Sequence, residues 1–452
     1  MEYQKEELTE EQKKEKTLRL SIKEGAAASV MGGTGEAYIV PFALALNANN
    51  LQIGFLSSFV NLFGSLAQIS GSKAMYNFKR KTLILISILT QATMWLLILS
   101  LGFLFYKGYI DGFSASVLIV LYVIYSFSGN FGSPSWFSMM GDIVSNKKRG
   151  KYFSKRNKIT GFVVISITLL SALLLDYYKN KNIVLLGFII LFFTASIARY
   201  FSGFLISKHY DPPHKIKKDS YFGFWQFVKK APSNNFGRFV IYVSLINLAT
   251  NFAGPFFAVY MLNELKFNYI LFTIVNISSA IFTILVMNFW GEIGDNYGNR
   301  ILLKIGSIII PFIPVLWIFS ANPIYLIFST QLLSGVGWAA FNLSSSNFIY
   351  DTVTPERRGL CIAYFNIFNG VGMFIGAMLG GFFAYYVHVS FMNPFLLIFL
   401  ISGILRALIV IIMLPKIKEV REIPNEEIKT LKVISNLTNF IGKFSGKINS
   451  DS

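Results

Sequence analysis

The sequence predicts an all-α membrane protein of twelve transmembrane helices, built as two six-helix pseudo-repeat bundles, and three observations carry that expectation. Of the 452 residues, 54% are hydrophobic and only 14% charged, where a soluble globular chain carries about 25% charged residues. Uninterrupted apolar runs such as TLILISILTQATMWLLILSLGFLF, residues 82–105, reach the ~20 residues a helix needs to cross the hydrocarbon core. Charged landmarks in the first half return in the second at nearly constant offsets. A bilayer offers the backbone no hydrogen-bond partner, and these runs do not alternate as barrel strands do, so the spans are helices.

Apolar runs between charged or turn-rich breaks place spans at 24–46, 52–71, 82–106, 115–140, 158–177, 183–207, 238–262, 268–291, 301–320, 323–349, 360–387 and 392–414. The first ends at the polar NANN and the second at Gly71 and Lys73. The third is followed by Lys107 and Asp111, the fourth by Asp142 and a cluster of seven cations from Lys147 to Lys158, and the fifth by Lys179 and Lys181. Cations crowd the exits of the even-numbered spans and are scarce after the odd ones, which by the positive-inside rule puts both termini in the cytoplasm. The net charge of +18 is thereby explained by topology, and no nucleic-acid partner is expected. Residues 1–21 mix both charge signs without a small-residue cleavage site, and read as a cytoplasmic tail rather than a signal peptide. The expected organisation is that tail, a first bundle at 22–208, a linker at 209–237, a second bundle at 238–415 and an amphipathic tail at 416–452.

The repeat is the stronger signal. Asp142 precedes Arg149-Gly150 by seven residues and Asp351 precedes Arg358-Gly359 by seven, an offset of 209 for both landmarks. Gly71 answers to Gly291 at 220, and Arg199 to Arg406 at 207. Parallel repeats of this kind hold substrate sites at the repeat interface. Between the halves, Tyr221, Phe222, Phe224, Trp225 and Phe227 beside Lys229 and Lys230 read as a segment lying on the inner leaflet. Ile428, Leu431, Ile434, Leu437, Ile441 and Phe444, set among lysines at helical spacing, repeat that pattern in the tail. Gly372, Gly376 and Gly380 form a small-residue face for close helix packing.

At GEIGDNYGNR, residues 291–300, the sequence resembles the signature loop between the eighth and ninth helices of the major facilitator superfamily, with Gly291, Asp295, Gly298 and Arg300 in the matching places. Gly291 allows close helix approach, Gly298 a tight turn, and Asp295 can accept hydrogen bonds from a helix N-terminus. The first-half copy, GSKAMYNFKRK, keeps Gly71 and Arg80 but has Met75 in place of the acid, so the second-half latch is expected to be the intact one. Asp142 with Arg149, and Asp351 with Arg358, are expected charge pairs of the same cytoplasmic gate. Span 4 carries no intramembrane arginine and span 5 lacks the Gly-Pro motif of the drug/proton antiporter branch, which weighs against a drug exporter.

The resemblance implies a central cavity lined by spans 1, 4, 7 and 10. The candidate lining residues there are Tyr38, Asn130, Trp136, Asn247, Asn251, Trp338 and Asn342, and their amides suit a polar or amphipathic solute; interhelical hydrogen bonding is the alternative for each. Glu36 stands about halfway along span 1, where an ionised group costs at least ~2.5 kcal/mol unless paired or wet. It is the proton-coupling or substrate-cation site, a structural acid hydrogen-bonded to a neighbouring helix, or an acid on a span set deeper or shallower than its apolar run implies. Arg199 and Arg406 read as anchors that snorkel. No ATP-binding loop, metal site or cofactor is expected, since Cys361 is the single cysteine and the three histidines are scattered. The expected function is alternating-access transport of a small organic solute across the plasma membrane, as proton-coupled export by a monomer whose partners are the bilayer, the solute and protons. Import by proton symport or uniport, and a non-transporting sensor, remain as alternatives; no enzyme activity is expected.

Overall fold

The computed structural model describes residues 9–145, 149–213, 223–387 and 389–420, without the side chains of 355, 356, 358 and 359. Tyr221 and Phe222 of the linker, the tail residues from Ile428 to Phe444, and the side chain of Arg358 lie outside the described residues. Among the described residues every regular element is a helix. Among the described residues eleven helical segments are long and apolar enough to cross a membrane. The expected first span is not one of them, because its helical stretch carries Arg19, Lys23 and Glu24 before it breaks at Gly35.

That span begins as α1 (Glu10–Thr34), twelve residues before the predicted membrane domain, with Thr9 and Gln12 forming a capping box. It then takes one 3₁₀ turn at Glu36–Tyr38 and resumes as α2 (Ile39–Ala45). Four unbroken helices follow: α3 (Asn50–Ala74), α4 (Arg80–Tyr106), α5 (Ser114–Ile143) and α6 (Arg149–Asn180). The sequence expectation started α6 at 158, but the cation cluster from Arg149 onward is its first turns. After α7 (Val184–Ser207) comes the short α8 (Phe224–Lys230). Proline and glycine divide the later spans. Gly254-Pro255 separates α9 (Asn235–Ala253) from α10 (Phe256–Val259), which runs into a π-helical turn at Tyr260–Glu264. Then come α11 (Tyr269–Tyr297), α12 (Asn299–Ile309), α13 (Phe312–Leu316) and α14 (Pro323–Tyr325). A second π-helical turn at Leu326–Gln331 leads to α15 (Leu332–Thr352), followed by α16 (Pro355–Tyr386) and α17 (Pro394–Met413). Pro323, Pro355 and Pro394 each open a helix, where the missing N–H costs nothing.

The chain divides into two compact units: Met1–Lys218 with Asn247–Ile277 and Phe365–Ile398, and Asp219–Ile246 with Ser278–Tyr364 and Phe399–Ser452. In the first, α3 packs on α5, α5 on α4, α4 on α7 and α7 on α1, with α6 against α1. Glycine sets the closest approaches: a Cβ on Gly54 would lie 2.7 Å from the Gly381 Cα, and Gly376 and Gly380 sit against the carbonyls of Leu248 and Phe252. Asp176, near the end of α6, accepts the backbone N–H groups of Tyr269 and Ile270 at 2.7 and 2.9 Å, capping the N-terminus of α11.

In the second unit α12 packs on α15, and a Cβ on Gly306 would lie 2.8 Å from the Phe341 nitrogen. The Trp290 indole donates to the Val336 carbonyl at 3.1 Å. Arg406 is 2% exposed and donates from Nη1 to the Ile310 carbonyl at 3.1 Å. The reason is covalent: the helical donor for that carbonyl belongs to residue 314, which is proline. Arg406 therefore is a fixed donor to a broken backbone rather than a snorkelling anchor. Phe224 and Phe227 of α8 pack on Tyr364, each at 5.3 Å between ring centroids.

Candidate functional site

Glu36 stands where the first span breaks. The preceding Gly35 is wedged against Trp95, whose ring atoms would lie 2.5 Å from any added Cβ. This blocks a bulkier residue and leaves Glu36 exposed on the 3₁₀ turn. Its Oε1 accepts the Tyr125 hydroxyl at 2.5 Å. Tyr125 is held by Trp95 at 4.9 Å and by Tyr122, which stacks on it at 5.2 Å. Tyr122 also lines a cavity of about 310 Å³ together with Val40, Leu56, Asn61, Asn251 and Pro255. One carboxylate with a fixed tyrosine donor can hold either a proton or a donor group of a solute.

Behind Tyr125 lies a second polar layer, which sequence reasoning missed. Gln91 donates to the Tyr125 carbonyl at 3.4 Å and accepts Arg199 Nε and Nη2 at 2.9 and 2.5 Å. Arg199 Nη1 reaches Ser202 at 3.2 Å, and Ser202 donates to Glu24 at 3.0 Å. Glu24 pairs with Arg156 Nη2 at 3.2 Å, and the Arg156 guanidinium lies 4.6 Å above the Trp136 ring. Glu24, Trp136, Arg156 and Arg199 border a cavity of about 270 Å³. The usable signal was helical spacing: Thr17, Ser21 and Glu24 share one face of α1, and all three are buried.

A buried latch lies beyond this layer in the same unit. Arg80, 2% exposed, meets Asp142 at 2.5 Å and Asp211 at 2.9 Å, and also donates to Ser138 and the Pro212 carbonyl. Asp211 caps α4 through the Lys81 N–H at 3.2 Å. His209 is 2% exposed, and burial beside Lys81 and Arg156 lowers its pKa to about 4.

The second unit contains the matching arrangement. Asn299, the first residue of α12 as Arg80 is of α4, donates to Asp351 at 2.6 Å, and Glu419 accepts the Arg300 N–H at 2.8 Å. This corrects the expected roles. The acid missing at Met75 is supplied by Asp142 and Asp211, while the expected acceptor Asp295 is exposed and Glu419 takes its place at the helix terminus. Gly298 takes φ +90, as its turn requires. Gly291, expected to allow close approach, faces open space, whereas Gly71 sits against the Phe131 carbonyl.

The other candidates fall into distinct settings. Tyr38 is fully buried, its hydroxyl shared with the Thr168 carbonyl at 2.6 Å and Thr273 at 2.9 Å. Asn130 accepts from Gln68, which accepts from Asn366, at 3.0 and 2.9 Å. Asn247 donates to Asn369 at 3.1 Å, and Asn251 to the Asn247 carbonyl at 2.9 Å while facing its cavity. In the second unit Trp338 packs on Phe341 at 5.5 Å and Asn342 is exposed. Arg149 donates to the Gly141 carbonyl at 3.0 Å, and Asp142 engages Arg80.

The family model described as Major Facilitator Superfamily matches residues 25–246 and again 239–445, once for each half. The chain belongs to the major facilitator superfamily. The twofold match is the pseudo-repeat seen in the offsets, and membrane transport is the activity this superfamily fold supports. No protein of curated description matches this superfamily member significantly. Solved structures do: the nucleoside transporter NupG at 14% identity and TM-score 0.62, covering 90% of this chain and 99% of that one. The xylose transporter XylE from E. coli matches at 14% identity and TM-score 0.63, covering 90% and 100%. A bacterial homologue of the iron transporter ferroportin matches at 15% and 0.62, covering 89% and 99%. At such identities the likeness carries the fold alone.

Proposed function

We propose that this protein is a proton-coupled secondary carrier of a small organic solute, with Glu36 as the group that exchanges the proton. The single supporting observation is Glu36 itself: an exposed carboxylate at a helix break within an apolar span, with Tyr125 donating to it. Export by proton exchange is the first reading, because proton and solute donor compete for one carboxylate. Alternating access closes each end in turn, and the Arg80 and Asn299 latches are the elements of the cytoplasmic gate, with both termini on that side of the plasma membrane. Fold likeness to nucleoside, xylose and iron transporters selects no substrate; the amides at Asn130, Asn247 and Asn251 favour a polar or amphipathic one.

Symport is the second reading, favoured by Arg199, which Gln91 links to the backbone of Tyr125. Protonation of Glu36 would leave that guanidinium the stronger field in the region, drawing an anion in with the proton. Purified protein in liposomes holding a pH-sensitive dye tests both readings, with sugars, amino acids and amphipathic acids offered outside to wild type and Glu36→Gln. Solute-dependent proton movement lost in the variant supports the proposal, and its direction relative to solute separates exchange from symport. Solute flux with no proton movement in wild type overturns the role of Glu36.

A further inference from the structure

The cavity shared by Arg156 and Arg199 holds an unbalanced charge. Among the described residues Glu24 is the one carboxylate on its wall, facing two guanidinium groups. Arg156 gives Nη2 to Glu24 and Nε to the Ser21 carbonyl at 3.3 Å, and among the described residues its Nη1 has no hydrogen-bond partner. Arg199 is bound to neutral groups, Gln91 and Ser202. Lys81 adds a further cation nearby: burial first, then Lys81 and Arg156, hold the His209 imidazole neutral. A guanidinium among membrane-spanning helices is costly unless an anion or water meets it.

The walls say what kind of anion fits. The Trp136 indole under Arg156 gives a flat apolar wall, and Ser87 and Ser133 add hydroxyls. A volume of about 270 Å³ falls just below the ~300–1,000 Å³ usual for ligand pockets, which limits the occupant to about one ring. We propose that this cavity binds a small organic anion, with its carboxylate or phosphate on Arg156 and its apolar body beside Trp136. The site deepens the carrier reading and rests on it for its purpose, but binding is measured separately from flux. A free aromatic acid and the headgroup of an anionic lipid share this chemistry.

The test uses the full chain in phosphatidylcholine nanodiscs, with radiolabelled benzoate as probe and benzamide as its uncharged counterpart. Saturable benzoate binding that benzamide does not displace is expected, weakened at least tenfold by Arg156→Gln and restored in part by Arg156→Lys. Nanodiscs containing phosphatidylglycerol identify the source: displacement of benzoate assigns the anion site to a lipid headgroup, and undiminished binding assigns it to a free acid. Equal binding of benzoate and benzamide, or no benzoate binding to wild type, overturns the site, and both readings stand even where the arginine variants fail to fold. Benzoate binding without flux leaves the site standing and removes the carrier reading; flux without benzoate binding does the reverse.

Discussion

Arg80 Nη1 lies 2.5 Å from Asp142 Oδ2, with the guanidinium 2% exposed and the carboxylate 45% exposed. Asp211, 17% exposed, completes the group on the other side of the same guanidinium. Removing the cation takes the guanidinium from two carboxylates at once, and breaking a buried pair costs roughly 3–5 kcal/mol. Because Asp142 stands partly in solvent, Arg80→Met is expected at the low end, about 3 kcal/mol. Thermal unfolding in detergent reads it; a midpoint unchanged from wild type would show that the latch contributes nothing to the folded state.

Gly71, near the end of α3, and Gly291, near the end of α11, make a paired prediction. Gly71→Ala presses a methyl against the Phe131 carbonyl, an overpacking that costs about 1–3 kcal/mol. Gly291→Ala meets open space and is expected to be neutral or to stabilise by about 0.5 kcal/mol through helix propensity. Midpoints shifting in the opposite order would mean that Gly291, and not Gly71, stands at the tight contact.

Asp176 accepts two amide N–H groups at the start of α11. Asp176→Ala should cost about 1–2 kcal/mol, as other caps do. Hydrogen exchange localises the effect: Tyr269 and Ile270 amides should exchange faster in the variant while the middle of α5 stays protected. Uniform acceleration along the chain would point to global destabilisation instead.

His209 makes stability depend on pH. Its folded pKa, about 4, lies below the ordinary value of 6.5, so the unfolded chain takes up a proton first as pH falls. The penalty is absent above about pH 6.5 and grows as pH falls from there to about 4, with an upper bound near 3 kcal/mol. The fall in thermal midpoint between pH 7 and pH 4.5 should be smaller in His209→Leu than in wild type. Parallel falls would show that other groups carry the acid sensitivity.

Tyr125→Phe removes the hydroxyl that meets Glu36 and leaves the ring in place between Trp95 and Tyr122. The fold should lose no more than about 1 kcal/mol, while solute-dependent proton movement in liposomes drops severalfold. Unaltered proton movement would mean that Glu36 works without its tyrosine.

How much of this was readable in advance depended on the range of the interaction. Spans were legible because lipid demands long apolar runs, and Glu36 because an acid inside such a run has no other disguise. The break at Gly35 was not, since it follows from the fit of Trp95 against a backbone that is distant in sequence. Arg156 was hidden among the seven cations: a cluster at a helix start reads as an anchor until the helix is known to extend to Arg149 and turn one of them inward. The Arg80 latch draws its acids from 62 and 131 residues away, so the residues around Met75 show only a gap. Arg406 had a clue in plain sight, since Pro314 leaves the Ile310 carbonyl without its helical donor.

Arg80 holds its two acids at 2.5 and 2.9 Å from a guanidinium that is 2% exposed. Dissolved salt screens exposed charges beyond ~8 Å at ~0.15 M and acts far less on buried pairs. The ionic composition of the surrounding solution therefore barely touches this contact, and only movement of the helices that carry it undoes it.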